Sequence, residues 1–508
     1  MATLFRGAAA LVLALASLAT ALTSNEYHLS LVGDGSGDYM LDWVTPADVT
    51  ASTIYYGASS SSLTYKAVGK AAGSVVESGD LTVACWSARL SGVKPGSTVY
   101  YDLSPTGGAA KSFTATAGAA MTWAVFGDMG ATVLGKASGI TLPALKSGLS
   151  ANAFHGILNI GDLGYELVGS NGAAYMQQLE PLTSAVPMHT TIGNHEMQYA
   201  FQGAMGNYLS RFHGLLDGAG LASGSGSNTF YSFNAGYVHF VFLNTEVYGD
   251  EAYMAPGADG KWVANDAARA KARTDQKNWL EYDLSRVKRS ATPFVVVCGH
   301  RPPNHIPTSA SKGTNEFAKD LVPLFDKYSV DLMLTGHEHA YYSIKPSKIG
   351  SYNFPPWIIS GAAGNNEYIR PTASVQLDTS VFTVATNINQ YGYGYLTASA
   401  DKLSWVWGQA ATVSPGGMAS QPAPWQQMDT AEFAKKSVAD PTPVGTPLVV
   451  PATPAPNSTL SENSTSPGTK PGTSSGSGGK PSGKTASSDA VAAALPALFV
   501  CLFATAQI

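Results

Sequence analysis

The sequence predicts a multidomain protein: an all-β sandwich, then an α/β domain, then a disordered stalk. Three observations carry this prediction. Up to Gly118 the chain is a series of short strand-like runs broken by Gly, Ser, Pro and Asp. From Ala119 apolar runs such as WAVFGD, GILNIGD, FVVVCGH and DLMLTGH alternate with longer stretches of helical spacing, the pattern of an α/β fold. After about Ser414 apolar periodicity fades, and beyond Asp440 Pro, Thr, Ser and Gly dominate, a composition poor in the apolar side chains a core requires.

With 508 residues, 44% of them hydrophobic, the chain can fill the cores of two or three domains. A formal net charge of -5 and the lack of a long basic run exclude a general nucleic-acid surface. Residues 1–21 read as a secretion signal. Arg6 precedes an apolar stretch from Ala8 to Ala19, shorter than the roughly 20 residues a membrane span needs, and small residues follow at Thr20 and Ala21. Residues 490–508 form an apolar tail behind the stretch GTSSGSGGKPSGKTASSD, with no basic cluster after it. That is the arrangement of a removable GPI-attachment signal, with the attachment residue between Ser475 and Gly479. The two ends predict a secreted protein held at the cell surface by a GPI lipid anchor, its sole link to a membrane. The stalk between them, 413–489, carries glycosylation acceptors at Asn457 and Asn463. Cys501 falls in the tail, and Cys85 and Cys298 lie on strand-like runs of different domains, so free, core-packed thiols are expected rather than a disulfide.

Element by element, the first domain spans 22–118. The runs YHLSLV, YMLDWVT, STIYYG, VVESG, ARLSGV, STVYYDLS and SFTATAG supply its strands, and the sandwich resembles a fibronectin type III domain. The α/β domain spans 119–412. Within it FYSFNAGYVHFVFLNTE reads as a hairpin turning at NAG, KNWLEYDLSRVKRS as a helix, and PPWIISG and GYGYLTASADKLSWVWG as closing strands. The Gly- and Ala-rich stretches from Tyr199 to Asn228 and from Asp250 to Thr274 read as loops.

Five apolar runs end on side chains that can bind a cation: Asp128 in FGDMG, Asp162 and Tyr165 in IGDLGY, Asn194 and His195 in IGNHE, His300 in VCGH, and His337 and His339 in LTGHEH. In an open α/β sheet parallel strands aim their carboxyl ends at one crevice, so residues far apart in sequence can meet there. A two-metal hydrolytic site needs a carboxylate able to bridge, anionic donors for the harder ion, and neutral imidazoles that leave the other ion Lewis-acidic. Asp128, Asp162, Asn194, His300, His337 and His339 supply all three. Tyr165 adds a phenolate, a strong donor suited to a trivalent ion such as Fe(III). Cys298 reads as a buried strand side chain rather than a ligand. His28, His155, His189, His213 and His239 fall outside the five runs and read as structural, with His189 buried along a strand.

These blocks resemble those of the purple acid phosphatases. That family's GDxG, GDxxY, GNH[D/E], VxxH and GHxH are matched in order by GDMG, GDLGY, GNHE, VCGH and GHEH, within a resemblance running roughly from Glu26 to Gln409. The resemblance implies a calcineurin-like metallophosphoesterase domain and a secreted acid phosphatase acting on small phosphorylated substrates. It implies that Asp128, Tyr165 and His339 hold Fe(III), that Asn194, His300 and His337 hold divalent zinc, manganese or iron, and that Asp162 bridges the pair. A metal-activated water would then attack the phosphate monoester. His195 is implied to contact the substrate phosphate and relay protons. Some relatives carry a His pair after the VxxH histidine, whereas GHRPPNHIPTS offers only His305, so His305, His195 or solvent serves as the general acid. Arg301 either orients phosphate or pairs with a surface carboxylate, Glu196 braces His195 or the backbone, and Tyr341 packs the pocket wall. Two further readings use the same residues: a phosphodiesterase or nucleotide pyrophosphatase, and a non-catalytic surface adhesion protein.

Overall fold

The computed structural model describes residues 24–78, 81–197, 204–249, 253–259, 261–303, 316–367, 382–413 and 419–449. Residues 1–21, read above as a secretion signal, the apolar stretch 490–508, His305, Asn457, Asn463 and the segment beyond residue 449 read as a stalk lie outside these residues.

Among the described residues, those up to Thr114 build two four-stranded antiparallel sheets. One runs in the order His28–Leu31, Tyr39–Pro46, Leu81–Leu90, Lys70–Ser78; the other runs Tyr65–Val68, Thr53–Gly57, Thr98–Asp102, Lys111–Thr114. Leu29, Leu41 and Trp43 of the first share a core with Ile54, Tyr101 and Phe113 of the second, as strand alternation requires. Cys85 is free and buried here.

Two further sheets face each other in the α/β region. The six-stranded sheet is ordered Met188–Thr190, Gly156–Asn159, Thr122–Phe126, Tyr391–Ala398, Lys402–Val413, Ala419–Ala434. The seven-stranded sheet is ordered Tyr231–Ala235, Val238–Phe242, Phe294–Cys298, Leu332–Thr335, Trp357–Ser360, Tyr341–Ile344, Val384–Ile388. Phe240, Phe242, Val296 and Cys298 point between the sheets towards Trp123 and Val125. The alternate residues Val241, Val295 and Val297 turn outward onto Trp279, Leu280, Phe317 and Phe325, which lie on the helices Asp266–Leu284, Glu316–Asp320 and Val322–Lys327. Cys298 is thus a free, buried core thiol that faces the opposite sheet.

Register explains why the strand ends meet. Phe126 is level with Asn159, and Leu158 with His189, in parallel pairs, so Asp128, Asp162 and Asn194 leave neighbouring strands at the same edge. In the other sheet Phe242 pairs with Cys298 and Cys298 with Leu334, which places His300 and His337 side by side.

Several boundaries differ from the sequence reading. Asp266–Leu284 starts well before KNWLEYDLSRVKRS, because DAARAKART is rich in the strong helix formers Ala, Arg and Lys and Asn265 caps it by accepting Ala268 N–H at 2.8 Å. Ala204–Arg211 is likewise helical within a stretch read as loop. The hairpin turns one step later than NAG, at Gly236-Tyr237, since Ala235 pairs with Val238.

The largest correction concerns the stalk boundary at 413. Ala419–Ala434 pairs along the preceding strand from Val413↔Ala419 to Lys402↔Ala434. As an edge strand it packs, among its described side chains, Trp425, Ala431 and Phe433 against the core, so it lacks the apolar alternation that marks an interior strand. Residues 435–449 then follow the domain surface. Lys436 Nζ donates to Val330 O at 2.7 Å, Arg286 to Val444 O at 2.6 Å, and the N–H groups of Leu448 and Val449 to Gly224 O at 2.9 and 3.1 Å.

The sandwich and the α/β region form one compact unit rather than two beads. At their seam the buried Arg211 donates to Glu26 and, at 2.9 Å, to Glu77, while Leu31 N–H donates to His189 Nε2 at 3.1 Å. His189 is buried and stacks on Phe233 at 3.5 Å.

Candidate metal centre

Four donor residues of the site, Asp128, Asp162, Tyr165 and His337, have positive φ of 61°, 48°, 53° and 67°. Non-glycine residues rarely adopt this region, and its cost of about 1–3 kcal/mol each is tolerated where a site needs it. The turns aim the side chains inward, and the motif glycines leave room for them. A Cβ at Gly193 would overlap the Asp162 carboxylate, and one at Gly336 would overlap Asp128. The GD, GN and GH dipeptides are therefore packing requirements between different strand ends.

All seven sequence-predicted donors come together. Asn194 Oδ1 lies 3.2 Å from His300 Nε2 and 2.8 Å from His337 Nδ1, and His300 Nε2 lies 3.1 Å from Asp162 Oδ2. On the other side Tyr165 Oη is 2.8 Å from His339 Nε2, which is 3.6 Å from Asp128 Oδ1. Asp162 Oδ1 accepts His195 N–H at 2.9 Å, and both Asp128 oxygens accept His337 N–H, at 3.2 and 3.0 Å. The Nδ1 of His300 is tied to Ile160 O at 2.9 Å, so its Nε2 faces the cluster.

Charge is concentrated and dry here. Burial pushes the Asp128 carboxyl well above the usual carboxylate range, opposed by His300 and reinforced by Asp162. Burial resists charge on Asp162 too, but His300 and His195 outweigh it and hold that carboxylate well below its ordinary value. Against burial, Asp162 and Asp128 push His300 up to about 10, while Asp162 and Glu166 push His195 up to about 9. Burial, then Asp128 and Asp162, raise Tyr165 well above a normal phenol.

The residues present fit a pair of cations. Ligand atoms of Asp162, His300 and His337 lie within 4.8 Å of one another, and Asn194 Oδ1 joins them. Asp128, Tyr165 and His339 form an oxygen-rich set beside them. The raised imidazoles of His300 and His195 favour protons that offset the buried carboxylates, and a bound cation would take over that role.

Glu196 accepts N–H groups from Leu163 at 3.0 Å and Gly193 at 2.8 Å, stapling two of the site's loops. Arg301 pairs at 2.7 Å with buried Glu246, and its Nη1 lies 3.3 Å from His337 Nε2. Tyr341 lies behind the site, stacked on Trp407 at 4.6 Å and donating to Asp429 at 2.7 Å. Sequence reasoning missed Thr245, whose Oγ1 accepts the N–H groups of His300 and Arg301 at 3.0 and 2.7 Å, along with Glu246, Glu166 and Glu367. For the first two a signal existed, because FVFLNTE is another apolar run ending on polar residues beside the His300 strand. For Glu166 and Glu367 no spacing marked them.

The calcineurin-like phosphoesterase family pattern matches residues 121–341. Acid phosphatase type 7 of Mus musculus is 28% identical over 410 residues, covering 73% of this chain and 84% of that protein. Its Homo sapiens namesake is 30% identical over 301 residues, covering 53% of this chain and 60% of that protein. The structure of purple acid phosphatase from yellow lupin (Lupinus luteus) seeds superposes with a TM-score of 0.56 at 16% identity, covering 83% of this chain and 77% of that one, a likeness of fold. Residues 121–341 thus form a calcineurin-like metallophosphoesterase domain, and the chain has acid phosphatases and purple acid phosphatases among its homologues.

Proposed function

We propose that the chain is a metal-dependent acid phosphatase that cleaves phosphate monoesters. The observation that carries this reading is the meeting, in one buried crevice, of donors from five separate strand ends. Their chemistry supports Asp128, Tyr165 and His339 as holders of Fe(III), Asn194, His300 and His337 as holders of divalent zinc, manganese or iron, and Asp162 as the bridge. When bound, such a pair supplies Lewis acidity toward phosphate oxygens and lowers the pKa of water.

The chain's own groups do the remaining work. His195, its ring 4.2 Å from that of Tyr165, turns Nε2 to the crevice, where it hydrogen-bonds a phosphate oxygen and hands a proton to the departing alkoxide. His305 is the second candidate for that proton. Arg301, clamped by Glu246, braces the His337 side of the crevice. The apolar stretches at the two chain ends support a secreted protein with a GPI anchor, its stalk glycosylated at Asn457 and Asn463.

Elemental analysis and visible spectroscopy test this assignment together. The purified protein is expected to hold two metals, iron among them, to show a tyrosinate-to-iron band, and to hydrolyse phenyl phosphate faster than its diester. Tyr165→Phe should remove the band. A colourless, iron-free yet active protein overturns the iron assignment, and diester turnover greater by orders of magnitude overturns the monoesterase.

A further inference from the structure

We infer that the outer face of the six-stranded sheet carries a second binding site, an aromatic groove that takes a neutral oligosaccharide. The groove encloses about 500 Å³ between the helix Leu142–Ser150 and the strands Tyr391–Ala398 and Ala419–Ala434. None of its lining residues belongs to the metal crevice. Its volume falls within the range of about 300–1,000 Å³ typical of small-molecule sites.

Tyr393 and Tyr395 stand two apart on one strand and so share a face, and Trp425 of the edge strand lies beside them. Ring centroids are 5.4 Å apart for Tyr393 and Tyr395, and 5.1 Å for Tyr395 and Trp425. Two glycines make room for this arrangement. A Cβ at Gly408, on the strand between, would come within 2.1 Å of the Trp425 ring, and one at Gly148 within 2.7 Å of Tyr395 Oη. Opposite the rings the helix presents Ala144, Ser147 and Gly148, too short to cover them, so Tyr395 and Trp425 stay half-buried. Partly exposed ring surface gathered in one groove is the mark of a binding site rather than of packing.

The chemistry of the lining selects the occupant. Among the described residues no charged side chain lines the groove, so nothing there pairs with a phosphate, a carboxylate or a cation. A polyproline-type peptide docks in an aromatic groove by giving its carbonyls to successive donors. Here the indole Nε1 of Trp425 is spent on Tyr393 O at 3.2 Å, and the Tyr393 and Tyr395 hydroxyls hydrogen-bond each other at 3.1 Å. What remains is ring face, one phenol hydrogen and the Ser147 hydroxyl. A pyranose matches that set, because its C–H face is apolar and stacks on a ring while its hydroxyls both donate and accept at the rim. Such a site would hold the chain on a polysaccharide surface.

Nuclear magnetic resonance of the isotope-labelled, full-length protein tests this. The indole N–H signal of Trp425, assigned by its loss in Trp425→Phe, is followed while cellotetraose, laminaritetraose and chitotetraose are added separately. A saturable shift with at least one of them is expected. Ser147→Leu fills the groove from an exposed helix position, so it should leave Tm unchanged and weaken binding by about tenfold or more, the loss of one ring contact. No shift with any of the three sugars, equal binding by folded Ser147→Leu, or a shift with decaproline and with no sugar overturns the inference. No phosphate ester enters the experiment, so its outcome is independent of the phosphatase reading.

Discussion

A methyl group at Gly336 would overlap Asp128 Oδ2, so the smallest substitution possible there acts on a donor from another strand. Gly336→Ala is therefore expected to fold and to lose metal, with activity falling at least tenfold, as for other residues that set ligand orientation. Elemental analysis beside circular dichroism checks this, and a fully metallated Gly336→Ala protein would contradict it. The same crowding accounts for much of what the sequence made legible. Asp162, Asn194 and His337 each follow a glycine that a donor from another strand end keeps small: Gly161 faces His300, Gly193 faces Asp162 and Gly336 faces Asp128. Glu166 and Glu367 were not legible, because their relation to His195 arises from how turns fold back.

At the scale of elements, the strand Ala419–Ala434 decides where the α/β domain ends. It packs Trp425 against Tyr395 at 5.1 Å and places Phe433 on the core, and Tyr341 donates to its Asp429 at 2.7 Å. A chain ending at residue 412, the boundary read from composition, is expected to be less stable by about 2 kcal/mol or more, since Trp425 and Phe433 are partly buried and full burial of a large apolar side chain contributes about 1.5–3 kcal/mol. A chain ending at Val449 should match the full-length protein in thermal unfolding. Equal melting of both truncations would show that the strand is dispensable. Interior strands such as FVVVC and LMLT were legible because both faces are buried and the run is continuously apolar. The edge strand carries Pro422, Pro424 and polar residues, which suit an edge and hide a strand from pattern reading.

The whole molecule is joined at the seam where His28–Leu31 of the sandwich meets Met188–Thr190. There His189 Nε2 accepts the Leu31 N–H, which only an imidazole with an unprotonated Nε2 can do, and burial drives the His189 pKa well below 6.5. Because the folded value lies below the unfolded one, the unfolded chain binds more protons under pH 6.5. The stability this group contributes is full above pH 6.5 and is lost as pH falls toward the folded value. Urea unfolding of the native chain and of His189→Gln should show the native chain's advantage shrinking on acidification from pH 7.5 to 4.5, at up to about 1.4 kcal/mol per pH unit. A difference that stays flat across that range would place the His189 pKa elsewhere. A second clamp of the seam, Arg211 on Glu26 and Glu77, joins residues remote in sequence, and no local pattern marks such partners.

The sequence by itself determined the donor set, its order and its attachment to strand ends, because apolar strands, glycines and the polar residue after them are local features written in consecutive residues. Tertiary structure alone decided which carboxylate faces His195, where Arg301 is held, how far the α/β domain runs, and that sandwich and α/β region are one body. Those outcomes depend on contacts between residues tens to hundreds of positions apart, which form only when the register of separate strands brings them level.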